Sequence, residues 1–146
     1  MRVEIMLEEG RKKLATILDS ATLVETARLL SAGTDLIVVI SSQGVLQGVV
    51  TKTDVVRQMG TCQGGACMCP VSSVMTRDVA LCRGGDLLQD VSDLMKKRHL
   101  KNIPVVDAEK RPTGVLTARA VLRVLLNDAR YEEEQLVDYV KGIGYR

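Results

Sequence analysis

The sequence predicts a mixed α/β (α+β) fold in which two βαββα repeats pack pseudo-symmetrically through their sheets. The segment GVVTKTDVV, residues 48–56, recurs as GVLTARAVL at residues 114–122. The stretches before both copies show the same order of elements, a helix followed by two short aliphatic strands. Because one unit of this size cannot cover both faces of its own sheet, we expect the two to share a core.

Each repeat contains a predicted amphipathic helix near its start. The first, TLVETARLL, begins at Thr22, and the second, DLLQDVSDLM, begins at Asp86. Thr22 with Glu25 and Asp86 with Gln89 form capping patterns, which predict that the helices start there. Apolar residues at helical spacing predict the buried faces: Leu23, Ala27 and Leu30, and Leu87, Val91 and Leu94.

Strands and a further helix follow in each repeat. The run LIVVI, Leu36–Ile40, is typical of a buried strand. After the two glycine motifs, the apolar spacing predicts helices over Asp54–Met59, stopped by Gly60, and over Arg119–Leu126.

The repeat divides the chain into four parts. Residues 1–60 and 71–127 are the two repeats, residues 61–70 are a linker rich in cysteine and glycine, and residues 128–146 are a charged tail that we expect to be helical. Three apolar residues make the tail a candidate surface for self-association or a partner helix: Leu136, Val137 and Val140.

Composition and charge exclude several classes of function. The formal net charge is only +2, which gives no bulk attraction to nucleic acid. Aromatic residues, on which unpaired bases could stack, make up only 2% of the chain. The first residues lack the apolar stretch of a secretion signal, and no apolar run is long enough to span a membrane. We therefore expect a cytoplasmic protein that binds neither nucleic acid nor a membrane.

Thr51 and Asp54 lie at the predicted strand-to-helix transition that follows Gly48. A carboxylate can accept hydrogen bonds from the two hydroxyls of a ribose, and the N–H groups of a helix N-terminus can face a phosphate. These groups together favour a nucleoside-phosphate site. The alternative is that Thr51 and Asp54 only cap the helix. Their spacing leaves both interpretations open.

The order of elements resembles a tandem pair of cystathionine-β-synthase (CBS) domains, a Bateman module. The resemblance rests on GVVTKTD and on VMTRDVALCRGGDLLQDVSDLMKKRHLKNIPVVD, and it covers residues 1–60 and 71–127. It implies a regulatory module that stands alone, binds an adenosyl ligand, forms a homodimer and signals to an effector protein. The ligand would be an adenine nucleotide or S-adenosylmethionine, all of which carry a ribose.

The resemblance also assigns roles to residues. The matching threonine contacts phosphate or ribose and the matching aspartate holds the ribose hydroxyls, which points to Thr51 and Asp54. The second repeat keeps Thr117 but has Ala120 in place of the aspartate, so we expect one ligand per chain. The resemblance further implies that backbone groups face the adenine edge, with apolar side chains on either side of the base, at Ala15, Thr16, Ile17, Ile37 and Val38. The candidate cations for the phosphates are Lys52, Lys101 and Arg119.

The basic segment KKRHLKN, residues 96–102, is a source of cations for phosphate, or alternatively a solvated helix end whose charges complement the helix dipole. His99 is the only histidine and has no serine, cysteine or aspartate at a spacing typical of catalysis. No catalytic motif is present elsewhere in the sequence either. The sequence therefore predicts that the chain is not an enzyme and needs no catalytic cofactor.

Four cysteines leave a second class of function open. Cys62, Cys67 and Cys69 lie in the linker and Cys82 on a predicted strand. Such a set could bind zinc or an iron–sulfur cluster, or form a redox-sensitive pair. Paired C-x-x-C motifs are missing, so we predict no metal site and expect reduced thiols that cover apolar surface. The alternatives to a nucleotide sensor are a thiol- or metal-based redox sensor and a structural dimerisation module.

Overall fold

The computed structural model describes residues 1–61 and 68–129. It contains two three-stranded sheets with helices around them, which confirms the predicted α+β fold of two repeats. The strands are β1 (Thr16–Leu18), β2 (Leu36–Ile40), β3 (Leu46–Thr51), β4 (Cys82–Arg83), β5 (Asn102–Val106) and β6 (Pro112–Thr117). The helices are α1 (Leu7–Lys13), α2 (Leu23–Ser31), α3 (Lys52–Gly60), α4 (Leu88–Lys97) and α5, residues 118–129.

The two sheets have the same topology and register. In each, the middle strand is parallel to the first and antiparallel to the third. Leu36 pairs with Thr51 in the first sheet, and Asn102 pairs with Thr117 in the second. Even the irregularity in the middle strand recurs, at Val39 in one repeat and at Val105 in the other. The internal repeat read from the sequence is thus a repeat of backbone geometry.

The helix starts agree with the sequence in the first repeat and differ in the second. The Thr22 hydroxyl accepts a hydrogen bond from the backbone N–H of Glu25 at 3.3 Å, as predicted. The prediction for Asp86 is wrong, because its carboxylate accepts from the N–H of Arg83 and closes the preceding turn. Helix α4 begins at Leu88, whose N–H donates to the carbonyl of Met1 at 2.9 Å.

The later start of α4 also moves its buried face. Leu87 is 44% exposed, and the core side of the helix is made by Leu88, Val91 and Met95 instead of the predicted Leu87, Val91 and Leu94. The other helix boundaries differ from the predictions by one to three residues, the largest difference being at the end of α5, residue 129 instead of the predicted Leu126. Within the described residues, no helix combines the length and apolar character needed to cross a membrane.

The core is aliphatic and partly shared between the repeats. Each repeat has its own buried cluster, and a third cluster joins them. Its buried members come from both sheets: Leu36, Val38, Leu46, Val49, Val106 and Val115. Burying an aliphatic side chain stabilises a fold by roughly 1.5–3 kcal/mol. The joint cluster therefore fixes the position of one sheet against the other.

The leading segment of each repeat packs on the other repeat. Val3 and Met6, at the start of the first repeat, are buried in the core of the second. Val71 and Met75, at the start of the second repeat, are buried in the core of the first, and the backbone of Thr76 pairs with Val49 of β3. The two leading segments thus cross between the repeats in opposite directions.

Two glycines make this crossing possible. A Cβ atom on Gly48 would lie 2.6 Å from the carbonyl oxygen of Thr76, and one on Gly114 would lie 3.0 Å from the carbonyl carbon of Gly10. The glycine that opens each repeated motif therefore admits the backbone of the crossing segment.

We expect Gly48→Ala to lower the free energy of unfolding by about 1–3 kcal/mol, because the new methyl group must displace backbone. Gly60→Ala is the matched control, since no heavy atom lies within 4 Å of its Cβ position. Urea denaturation of both variants measures the difference. Equal midpoints for the two variants would show that the close approach at Gly48 imposes no steric limit.

Candidate functional site

A cleft of about 1510 Å³ lies between the two repeats and brings their glycine-threonine motifs together. Thr51 and Asp54 line it from the first repeat, and Thr117 and Ala120 line it from the second. Pockets for drug-sized ligands measure roughly 300–1,000 Å³. The cleft therefore has room for a ligand larger than a nucleoside.

Thr51 and Asp54 cap α3, as one of the two sequence interpretations predicts. The N–H of Thr51 donates to Asp54 Oδ2 at 2.9 Å, and the N–H of Asp54 donates to the Thr51 hydroxyl at 3.4 Å. The Thr51 hydroxyl also lies 3.2 Å from Asp54 Oδ2. This reciprocal arrangement holds the carboxylate in one orientation at the start of the helix.

The second oxygen of Asp54 connects the motif to the crossing segment. The Thr76 hydroxyl donates to Oδ1 at 3.4 Å, and Arg57 Nη1 lies 3.6 Å from the same oxygen. Asp54 is only 8% exposed, so these groups meet it where water is largely excluded. A carboxylate has about four acceptor positions and these groups occupy most of them, so a further donor from the cleft would have to share or displace the long contacts to Oδ1.

The second repeat has no counterpart of Asp54 or of Thr76 at the corresponding positions. Thr117 keeps the cap, since its hydroxyl accepts from the N–H of Ala120 at 3.1 Å. Ala120 stands where the first repeat has Asp54, and Gly10 of the other crossing segment stands where the first repeat has Thr76. The second half of the cleft therefore has neither the carboxylate nor its hydroxyl partner.

The structure brings six of the predicted ligand contacts to the cleft: Thr51, Lys52, Asp54, Lys101, Thr117 and Arg119. The residues assigned to the adenine do not line it: Ala15, Thr16, Ile17, Ile37 and Val38. Ile37 and Val38 have no exposed surface and belong to core clusters. Their side chains hold the first sheet in place and do not reach the cleft.

The sequence analysis did not identify several of the residues that line the cleft. Arg57 follows Asp54 by three positions on one helix, a spacing that favours an ion pair and could have identified it. Arg123 follows Arg119 by one helical turn and could have been found in the same way. Thr76 has no such signal, because it approaches Asp54 from 22 residues away in the chain.

The cysteines are only partly described by the structure. Cys62 and Cys67 lie outside the described residues. Cys69 is half-buried against the core of the first repeat, and Cys82 is 2% exposed in the core of the second. Burial, with a smaller effect from the charge of Asp86, raises the pKa of the Cys82 thiol from 9.0 to about 12. Since metal ligation and nucleophilic attack need the thiolate, Cys82 is suited to packing.

The described residues contain no group of three or more histidine, cysteine, aspartate or glutamate side chains placed to hold a metal ion. Cys69 and Cys82 belong to different core clusters. The thiol of Cys82 lies 3.7 Å from the carbonyl oxygen of Pro104, a weak hydrogen bond within its own sheet.

We expect Cys82 of the folded protein to resist alkylation by iodoacetamide at pH 8, because its thiol is both buried and protonated. Half-buried Cys69 should react faster. Peptide mapping by mass spectrometry measures both sites in one sample, and the same reaction in urea is the control in which both cysteines are modified. Equal rates in the native protein would contradict the buried position of Cys82.

Comparison with known proteins agrees with this architecture. The family model for the CBS domain matches residues 4–60 and 71–127. The choline transport ATP-binding protein OpuBA of Bacillus subtilis is 32% identical over 122 residues, which are 83% of this chain and 30% of that protein. The chain thus spans less than a third of the length of this relative.

Two solved structures show the same fold. A CBS domain pair in complex with 5-methylthioadenosine and S-adenosyl-L-methionine has a TM-score of 0.71 and 20% identity, covering 88% of this chain and 98% of that one. The cytosolic domain of the Mg²⁺ channel MgtE in complex with ATP has a TM-score of 0.66 and 25% identity, covering 77% of this chain and 45% of that one. With both repeats matched, the chain belongs to the CBS domain family and contains a tandem pair of these domains.

Proposed function

We propose that this CBS pair is a regulatory module that binds an adenosyl nucleotide in the cleft between its repeats. The observation that carries the proposal is the Asp54 carboxylate, which lines the cleft, is 8% exposed and is held in a fixed orientation by Thr51. The second repeat has no counterpart to it at Ala120. One ribose site per chain follows from this difference.

The chemistry of the site suits a ribose. Its two hydroxyls donate hydrogen bonds, and bonds to an ionised acceptor are stronger than bonds between neutral groups. The bond from Thr76 to Oδ1 is long at 3.4 Å, so a ribose hydroxyl can replace or share it. Lys52 lies in the first turn of α3 and lines the same cleft, where a phosphate would meet it.

The related proteins support an adenosyl ligand. One solved CBS pair holds 5-methylthioadenosine and S-adenosyl-L-methionine, and the MgtE domain holds ATP. These ligands share an adenosine and differ beyond its 5′ carbon. A carboxylate that binds the ribose would recognise the adenosine that these ligands share.

The proposed signal passes through Thr76. Its hydroxyl and the ligand compete for Asp54 Oδ1, while its backbone is paired with Val49. Ligand binding would therefore bias the contact between the crossing segment and the first repeat, and a partner that prefers one arrangement would read it.

We further propose that the chain forms a homodimer and signals to an effector protein. Large apolar side chains are exposed at equivalent positions of the two repeats, Val56 on α3 at 67% and Leu122 on α5 at 46%. Each has a second exposed apolar side chain about one turn further along its helix, Met59 and Leu126, and contiguous exposed apolar patches are typical of protein interfaces. The module itself is proposed to have no catalytic activity and to act in the cytoplasm.

Thermal unfolding with AMP, ADP, ATP, NAD or S-adenosylmethionine tests the ligand site. A ligand that binds only the folded state should add about 2.7 kcal/mol of stability at a hundredfold excess over its Kd. We expect Asp54→Ala to abolish the increase. Since this variant also loses a helix cap, Thr22→Ala is the matched control, because Thr22 caps α2 and does not line the cleft.

Both variants should lose about 1 kcal/mol of stability without ligand, as the removal of a cap does. Only Thr22→Ala should still respond to the nucleotide. If none of the five ligands raises the midpoint of the wild-type protein, or if Asp54→Ala responds as fully as Thr22→Ala, the proposed function is wrong.

Ala120→Asp tests the difference between the repeats. The new carboxylate completes a cap with Thr117 and supplies the ribose acceptor that the second repeat lacks. We expect isothermal titration calorimetry to show two nucleotides per chain instead of one. Ala120→Asn, of the same size but uncharged, is the control and should stay at one. A stoichiometry of one for Ala120→Asp would contradict the assignment of the carboxylate as the deciding group.

A further inference from the structure

A groove of about 450 Å³ lies between α4 and α5 of the second repeat, here called the α4–α5 groove. Met95 and Val121, both buried, form its floor, while Leu122 stands at its edge and is exposed. Leu126, one turn further along α5, is exposed as well. The groove and the adjoining face of α5 thus present apolar surface to solvent.

Cations gather at the end of the groove where α5 begins. Lys96, Lys101 and Arg119 line it and are exposed. The N–H of Ala118 donates to the carbonyl of Lys101 at 2.8 Å, which fixes the segment after α4 beside the start of α5. No carboxylate within residues 1–61 and 68–129 forms a salt bridge with any of the three cations. An acidic segment with apolar residues beside it would complement this surface.

The chain itself carries such a segment in residues 130–146, here called the C-terminal segment, which lies outside the described residues. It contains three consecutive glutamates, Glu132–Glu134. Apolar residues follow at positions i, i+3, i+4 and i+7: Leu136, Tyr139, Val140 and Ile143. This spacing is typical of a helix that binds in a groove.

The aromatic residues of the chain are concentrated in the same segment. The sequence has no phenylalanine or tryptophan, and its three tyrosines are Tyr131, Tyr139 and Tyr145. Tyrosine is enriched in the buried centres of interfaces, because it combines a large apolar ring with a polar hydroxyl. The segment therefore has the composition of a binding element, although the rest of the core is aliphatic.

The length of the segment matches the distance it must cover. From Ala129, the last residue of α5, back to Arg119 is about 15 Å along the helix. Residues 130–134 span about 17 Å when extended, which is enough to return the glutamates to the cations at the start of α5. A helix over residues 135–143 is about 13 Å long, so it can run beside α5 from the groove to Leu126.

We infer that the C-terminal segment folds back onto the second repeat of its own chain and occupies the α4–α5 groove. Its glutamates contact the cations at the start of α5, and its apolar residues fill the groove. The docked helix covers Leu122 and Leu126. The proposed homodimer would then use α3 of the first repeat, where Val56 and Met59 are exposed.

Tyrosine fluorescence of the full-length protein tests the inference, because every tyrosine lies in the C-terminal segment and the chain has no tryptophan. We expect acrylamide to quench this fluorescence less than it quenches a synthetic peptide of residues 130–146. Raising the salt concentration should increase the quenching, since exposed ion pairs are screened. Quenching of the protein equal to that of the peptide would overturn the inference.

Leu122→Ser removes an apolar contact at the edge of the groove and should raise the quenching towards that of the peptide. Val56→Ser is the matched control, since Val56 is the exposed residue at the equivalent position of the first repeat and does not line the groove. Circular dichroism confirms that each variant is folded. Unchanged quenching in Leu122→Ser, or the same increase in both variants, would contradict docking in the groove.

Lys96→Glu/Arg119→Glu reverses two charges of the groove. We expect the ratio of docked to free segment to fall about tenfold, as the loss of two exposed ion pairs provides. Adding Glu132→Lys/Glu133→Lys to this variant restores opposite charges and should restore the protection of the tyrosines. A charge reversal without effect, or a combined variant that stays as accessible as the peptide, would overturn the proposed contact.

Dilution distinguishes docking within one chain from docking on a second copy. Quenching should be the same at every protein concentration if the segment binds its own chain. Analytical ultracentrifugation at the same concentrations gives the mass of the species present. Protection of the tyrosines that disappears as the protein becomes monomeric would overturn the inference and assign the groove to the segment of a second copy.

Discussion

The exchange of leading segments between the repeats is the contact on which the rest of the structure depends. Each sheet has only three strands and cannot cover both of its faces, so each repeat uses residues from outside itself to complete its core. Val3 and Met6 serve the second repeat, and Val71 and Met75 serve the first. Gly48 and Gly114 allow the crossing backbones to come within van der Waals distance of the sheets.

The same crossing creates the cleft and its asymmetry. Because Thr76 must run past β3, its hydroxyl reaches Asp54, and the carboxylate becomes a junction between the two repeats. In the second repeat the equivalent run brings Gly10 past β6 towards Ala120, and no polar pair forms. Two halves with one backbone geometry thus differ in chemistry: the first presents a carboxylate held in one orientation, and the second has Ala120 at the corresponding position.

The sequence predicted local features well, because the groups that decide them are neighbours in the chain. The cap at Thr22, the strand Leu36–Ile40 and the capping pair Thr51 and Asp54 all depend on residues within a few positions of each other. The cap assigned to Asp86 failed for the opposite reason. The group that satisfies the first N–H of α4 is the carbonyl of Met1, which only the tertiary fold brings near Leu88.

The same distinction between neighbours in the chain and contacts made by the tertiary fold applies to the candidate site. Thr51, Asp54, Lys101 and Arg119 could be named because motifs or charge mark them, and all four line the cleft. Thr76 could not be named, since nothing near it in the sequence indicates that it reaches a carboxylate 22 residues away. Ile37 and Val38 were named by family resemblance for their backbone groups, and that assignment stays a prediction; their side chains are fully buried, because the middle strand of the sheet is covered on both faces.

The crossing of the leading segments also has a consequence for folding. If either repeat came apart, it would release the segment that completes the other and expose apolar surface there. The joint cluster of Val38 and Val106 adds to this mutual dependence. The two repeats should therefore behave as one cooperative unit and unfold in a single transition, although the sequence contains two copies of the motif. Duplication has produced one folding domain out of two incomplete ones.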